Sequence, residues 1–220
     1  MRGTRIHKGF LAVGFALVAA AGVAAVASAQ EQAKRPLSPR GTASTQVAGK
    51  WVARDNGEMT YTDGKWIDVD YGRPILRGRK DIFGSGADYG KNVDAGAPVW
   101  RLGANQTTRL HTEVGLKLGD KTLAPGDYSL FVDLADGKWT LIVSTQPFQE
   151  KYDPKAKDST WGAYNYDAKY DVVRVPMEVG QAPMSADQLT IGFHDMTDAG
   201  GTLVVCWGAT RATVGFGIAP

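Results

Sequence analysis

The sequence predicts an all-β fold, an antiparallel β-sandwich, on three observations. Apolar residues recur with a period of two in segment after segment. The 27 glycines and 10 prolines punctuate those segments. No window of about 11 or more residues carries a helical apolar stripe. A jelly roll is one arrangement that such strands allow.

The chain opens on a targeting pattern. Arg2, Arg5 and Lys8 form a basic stretch, Gly9 to Val26 is almost wholly apolar, and Ala27-Ser28-Ala29 supplies the small residues that a signal peptidase requires. Residues 1–29 therefore read as a signal peptide cut before Gln30, which predicts export to the periplasm or the extracellular space. Residues 30–44 (QEQAKRPLSPRGTAS) are polar, hold two prolines and lack periodicity, so they read as a flexible tether. The single domain then spans residues 45–220.

Removing residues 1–29 takes three of the 25 basic side chains and none of the 23 acids, leaving 22 against 23. A body so nearly neutral gives no electrostatic basis for nucleic-acid binding. No later stretch approaches the ~18 apolar residues of a membrane span. The sequence leaves oligomeric state open.

Within the domain, Ile67, Val69 and Tyr71 share one face of Lys65–Tyr71 while Trp66, Asp68 and Asp70 share the other. Val114, Leu116 and Leu118 alternate with Glu113, Gly115 and Lys117. Tyr128, Leu130, Val132 and Leu134 align, Asp136-Gly137 turns the chain, and Trp139, Leu141 and Val143 return: a β-hairpin. Val172–Val179, Leu189–Phe193, Thr202–Trp207 and Ala212–Ile218 continue the pattern. The single cysteine, Cys206, has no internal disulfide partner and lies in an apolar run, as a core thiol would.

Two long segments lack alternation. Arg73–Pro98 is rich in glycine and charge. Pro147–Asp171 carries Phe148, Tyr152, Trp161, Tyr164, Tyr166 and Tyr170, six aromatics in 25 residues. Loops longer than about 12–15 residues are uncommon unless functional or packed on themselves, so function is expected in these two.

Four blocks in order resemble the signatures of the domain of unknown function family 2911. They are Tyr71-Gly-Arg-Pro74 with Gly78-Arg79 and Ile82-Phe83-Gly84; Val99-Trp-Arg-Leu-Gly-Ala-Asn105; Leu123-Ala-Pro-Gly-Asp-Tyr-Ser-Leu-Phe131; and Trp161-Gly-Ala-Tyr-Asn-Tyr-Asp167 with Asp171 and Arg174. The resemblance implies an exported, β-rich protein seen mostly in bacteria. It implies no activity.

Several chemistries are weakly supported by the residues themselves. There is no nucleophile elbow, since Phe83-Gly-Ser-Gly86 lacks its leading glycine. His111, His194 and Asp195 have no metal-ligand spacing, and two ordinary strand-end histidines account for them better. No cofactor motif is present. Asp68 and Asp70, two apart on one strand face, suit either a paired-carboxylate site or a charged sheet surface that discourages aggregation.

The loop cations and aromatics carry more. Arg73, Arg77, Arg79 and Lys80 place four cations in eight residues, with Arg101 and Arg174 in later blocks. Guanidinium groups in loops grip carboxylate or phosphate, and they also tie loops down through backbone carbonyls. Trp161, Tyr164 and Tyr166 offer flat apolar faces with polar tips, suited to a sugar ring or peptide and equally to completing a core. The expected function is ligand binding without catalysis, for a small molecule, glycan or peptide, by Arg73, Arg79, Arg101, Asn105, Trp161, Tyr164 and Tyr166. The alternative is a hydrolase of envelope or extracellular glycan or ester bonds, with Asp70 or Asp171 as acid/base. The sequence names no catalytic residue beyond that alternative and no metal ligand.

Overall fold

The computed structural model describes residues 36–219, so the expected signal peptide and residues 30–35 of the expected tether lie outside the described residues. Strands make up 58% of the structure and helices 5%, as the period-two pattern predicts. The strands are β1 (Arg40–Val47), β2 (Lys50–Ala53), β3 (Met59–Thr62), β4 (Lys65–Gly72), β5 (Thr108–Thr112), β6 (Gly115–Leu118), β7 (Lys121–Leu123), β8 (Gly126–Ala135), β9 (Lys138–Ser144), β10 (Asp171–Thr197) and β11 (Gly200–Ala219).

Nine of them form one antiparallel sheet in the order β1-β4-β5-β8-β9-β10-β11-β6-β7, and β2 and β3 pair as a separate hairpin. The large sheet doubles over on its longest strands. β10 pairs with β9 from Asp171 to Met177, then with β11 from Glu178 to Thr197. Leu110, Leu130, Leu141 and Val143 from one half thereby face Leu116, Phe193, Leu203 and Phe216 from the other. The alternation supplies these inward positions: Ile67, Val69 and Tyr71 are buried on β4 while Trp66 is exposed beside them. The residual void between the halves is about 20 Å³ and wholly apolar, too small to hold a ligand.

β1 starts earlier than the sequence reading placed the domain. Arg40 to Ser44, read as tether, pair with Gly72 to Asp68 of β4. Gly41, Thr42, Ala43 and Ser44 are small and weakly patterned, so their strand state comes from the ladder to β4 and not from local apolar alternation.

The two halves are also joined at one side by polar contacts. Leu76 N–H donates to Asp187 O at 2.7 Å, and Leu189 N–H donates to Pro74 O at 2.9 Å. The buried Tyr71 hydroxyl accepts from Ile191 N–H at 2.9 Å and reaches Ile191 O at 3.4 Å. Tyr71 thus ties β4 to β10 with a single oxygen. Replacing it by phenylalanine strands the Ile191 N–H, a buried donor whose loss of partner costs about 1–3 kcal/mol. We expect Tyr71→Phe to lower the urea midpoint by that amount with an unchanged denaturant slope; an unchanged midpoint would show that this bond does not hold the halves together.

Candidate functional site

The first long loop is held by aromatic packing. The Phe83 ring lies 4.7 Å from Trp139, 5.5 Å from Trp100 and 5.9 Å from Trp207, edge-on in each case. Trp100 and Trp207 stack at 6.3 Å. Trp139 Nε1–H donates to Tyr89 Oη at 2.8 Å, which fastens a second ring of the same loop. Trp100 also exchanges both backbone bonds with Val132, at 2.8 Å each. A loop with a 3-10 turn at Gly86–Asp88 and one helical turn at Lys91–Asp94 is fixed in this way over one end of the sandwich.

The second loop covers the outer face of β8 and β9. Phe131 and Ile142 point away from the main core, yet both are fully buried, under Val99, Ala163 and Tyr166. Buried polar side chains pin the covering chain. Gln146 Nε2 donates to Asn165 O and its Oε1 accepts from Asp167 N–H; Thr107 Oγ1 donates to Gly162 O at 2.9 Å; Gln149 Nε2 donates to Ala156 O and Ser159 O.

Where the loops meet β10 and β11, two hollows open side by side. The larger, about 360 Å³, lies between Arg79 to Gly84 and the Gln181, Ser185 and Gly208–Thr210 stretch. The smaller, about 250 Å³, lies among Ser38, Asn92, Arg101, Gly103 and Asn105. Arg79 and Trp207 line both, with the guanidinium 5.8 Å above the indole ring. Trp207 is 4% exposed, and its Nε1–H is buried without an acceptor among the described residues. An unmet buried donor costs about 1–3 kcal/mol, and in native proteins it asks for an explanation.

The wall formed by residues 101–105 is strained and tightly seated. Leu102 is fully buried at φ 50°, a left-handed conformation that a bulky apolar side chain rarely takes and that collects at functional sites. Asn105 follows at φ 63°, where asparagine sits readily. Gly72 packs against Ala104 so closely that a Cβ would come within 1.9 Å of its carbonyl oxygen. Gly162, at φ +64°, leaves room for the Arg101 guanidinium, which a Cβ would approach to 2.6 Å.

Of the seven residues expected from sequence, the structure brings Arg79, Arg101 and Asn105 to the smaller hollow. Arg101 Nη1–H donates to Asn105 O at 3.0 Å, and Asn105 Nδ2–H donates to Ser38 O at 3.2 Å. Burial pushes the Arg101 guanidinium below its ordinary range, with Tyr164 opposing the shift. Tyr164 is 51% exposed, its ring 6.0 Å from that guanidinium, so it adjoins the hollow without lining it. Arg73 acts as a brace: its Nε–H donates to Leu189 O and its stem packs on Gly41. Trp161 pairs with Tyr152 at 6.2 Å, outside both hollows. Tyr166 packs on Phe131 at 5.0 Å and donates to Asp171 Oδ2 at 2.6 Å.

Trp207 and Asn92 belong to the hollows and were not singled out from sequence. Trp207 ends an apolar run, a pattern that reads as core. Only its neighbours, distant in the chain, show that its ring also forms a floor. The carboxylates of the hydrolase alternative lie outside both hollows. Asp70 accepts from Thr42 Oγ1–H on the outer sheet surface. Asp171 accepts from Tyr166 and from Arg174, whose other arm donates to Asp133 at 2.7 Å. Among the described residues, no group of three or more His, Cys, Asp or Glu side chains is placed to hold a metal ion.

A family model described as "Protein of unknown function (DUF2911)" matches residues 55–216, which takes in both loops and every residue of the four blocks. No curated protein and no solved structure matches the chain.

The Tyr166 phenol is raised well above its ordinary 10.0, first by burial and then by its bond to the Asp171 carboxylate, with Arg174 pulling the other way. A folded-state value above the unfolded one means that this stabilisation is complete below about pH 10 and is lost as pH rises beyond it. We therefore expect the stability gap between the protein and its Tyr166→Phe variant to be constant to about pH 9 and to narrow above about pH 10. Paired urea titrations across that range measure it, and a gap unchanged at about pH 11 would mean that neither burial nor Asp171 raises the phenol above its unfolded value.

Proposed function

The chain belongs to the DUF2911 family, and from that premise we propose that its β-sandwich is an exported domain that binds a small ligand in the paired hollows around Arg79, Arg101 and Trp207. The observation that carries the reading is the pair of adjoining concavities that share Arg79 and Trp207 in their linings, with Arg101 and Asn105 in the smaller one. Two further features support it: Arg79 and Asn92 line the smaller hollow, and the Leu102 backbone beside it is strained.

Chemistry favours binding over hydrolysis. General acid/base cleavage of a glycosidic bond needs two carboxyl groups flanking the substrate. The smaller hollow has no carboxylate in its lining and the larger has Asp81 alone. Asp70 and Asp171 already have hydrogen-bond partners elsewhere. Export follows the basic, apolar and Ala-Ser-Ala pattern of residues 1–29.

Two outcomes are expected. Tyr164→Ala should shift stability by no more than about 0.5 kcal/mol, as an exposed side chain does, and Arg101→Ala by about 1 kcal/mol for its one backbone bond. Thermal unfolding of both variants tests this: losses of several kcal/mol would make these residues loop anchors and remove the site. Secreted material should also begin at or near Gln30 on N-terminal sequencing. Full-length protein held in the cytosol would refute export.

A further inference from the structure

The arginines of this protein fall into two groups. Arg109 makes a two-pronged ion pair with Glu150, at 2.6 and 3.1 Å. Arg174 contacts both Asp133 and Asp171. The two arginines at the smaller hollow have no such partner: among the described residues, no ion pair involves Arg79 or Arg101. Arg79 turns its Nε–H and Nη2–H back onto Leu76 O and Ile75 O, at 3.0 and 2.8 Å. Arg101 spends Nη1–H on Asn105 O. Neutral carbonyls thus hold both guanidinium groups in place while leaving their charge uncompensated.

Arg101 is partly buried, and holding a cation partly out of water without a counter-charge is unfavourable, so proteins normally pair it. Arg79 is exposed and adds a second unpaired charge beside it. Here the remaining side chains at the hollow reinforce the imbalance. Asn92 and Asn105 add amide groups, and no carboxylate lines the hollow. Lys80 adds a cation to the adjoining larger hollow, against Asp81 alone.

Resting on the reading of the hollows as a ligand site, we propose that the ligand is a small molecule bearing an oxyanion, a carboxylate or a phosphate, which sits between Arg79 and Arg101. Each guanidinium keeps N–H groups beyond those given to backbone carbonyls, and such forks match the paired oxygens of either anion. The backbone bonds set the forks in position before the ligand arrives, so little side-chain freedom is lost on binding. The Asn105 carbonyl holds the Arg101 fork through its Nη1–H.

The test uses three probes with one ring and different charge: glucose, glucuronate and glucose 6-phosphate, with inorganic phosphate as a fourth. Binding is followed through the indole N–H resonance of Trp207 in ¹H–¹⁵N spectra, assigned with the Trp207→Phe variant. At least one anionic probe should shift that resonance saturably while glucose does not, and raising the salt concentration should weaken it. Arg101→Gln and Arg79→Gln should each weaken the anion by about tenfold or more, the loss of one charge-assisted contact, and Arg101→Lys should lose less. Arg79 is exposed, so its variant folds even where Arg101→Gln does not. Glucose binding as well as glucuronate, with Arg79→Gln unaffected, would overturn the anion assignment and leave the hollows as a site for neutral ligands. No saturable shift with any probe would overturn the assignment outright. Separately, the melting behaviour of Arg101→Ala and Tyr164→Ala decides whether the hollows are a site at all.

Discussion

The Phe83 ring is the contact on which the candidate site depends. It comes from a loop with almost no regular structure, yet it meets Trp100, Trp139 and Trp207 edge-on within 5.9 Å. Aromatic pairs in such arrangements contribute about 0.5–1.5 kcal/mol each beyond the area they bury. Three of them offset the ordering of only a few residues, at about 1–2 kcal/mol each, so the rest of the loop leans on the apolar area these rings bury. The cluster also explains the shape of the site. Trp207 is nearly enclosed, stacked on Trp100 and edge-on to Phe83, and what little of it stays open lines both hollows.

The second loop solves a different problem. β8 and β9 lie inside the sheet, and Phe131 and Ile142 project from their outer side. A bare outer surface there would leave large apolar side chains in water, and the chain from Pro147 to Tyr170 covers it. Covering chain brings its own backbone amides and carbonyls into a dry place, where each needs a partner. Gln146, Gln149 and Thr107 provide them. These three buried polar residues do for the loop what ladder bonds do for a strand, and the Tyr166–Asp171–Arg174 network continues the same work at the rim.

The fold was legible in the sequence because burial on one face of a strand writes a period of two directly into residue order. Lys65–Tyr71 and the Tyr128–Thr145 hairpin carry that signal in full. Arg40–Ser44 does not, since its mostly small side chains carry no apolar alternation and its strand state comes from the ladder to β4. The continuity of β10 was hidden for a related reason: its middle, Gly180 to Gln188, is mostly exposed and loses alternation while remaining extended. The site was less legible. Loop arginines stand out in a sequence, and Arg79, Arg101 and Asn105 do share a hollow. What no sequence pattern distinguishes is an arginine that braces, as Arg73 does on Leu189 O, from one that faces open space. That difference is set by a residue more than a hundred positions away.

The hollows occupy the place where the sheet is least regular. The pairing of β10 with β11 slips between Gln181 and Ala186 and again between Ala186 and Thr190. Gln181 and Ser185, on the slipped stretch, line the larger hollow together with Gly208, Ala209 and Thr210 opposite. A register slip separates neighbouring strands and turns their backbone groups away from each other. A regular ladder would carry side chains across this gap and close it. The slipped ladder leaves an opening at the end of the sandwich, and the Phe83 loop roofs that opening without filling it. Irregular pairing, a roof held by aromatic contacts and two guanidinium groups braced on neutral carbonyls therefore belong to one arrangement: the strands diverge, the rings set the floor, and the loop brings positive charge to the space between them.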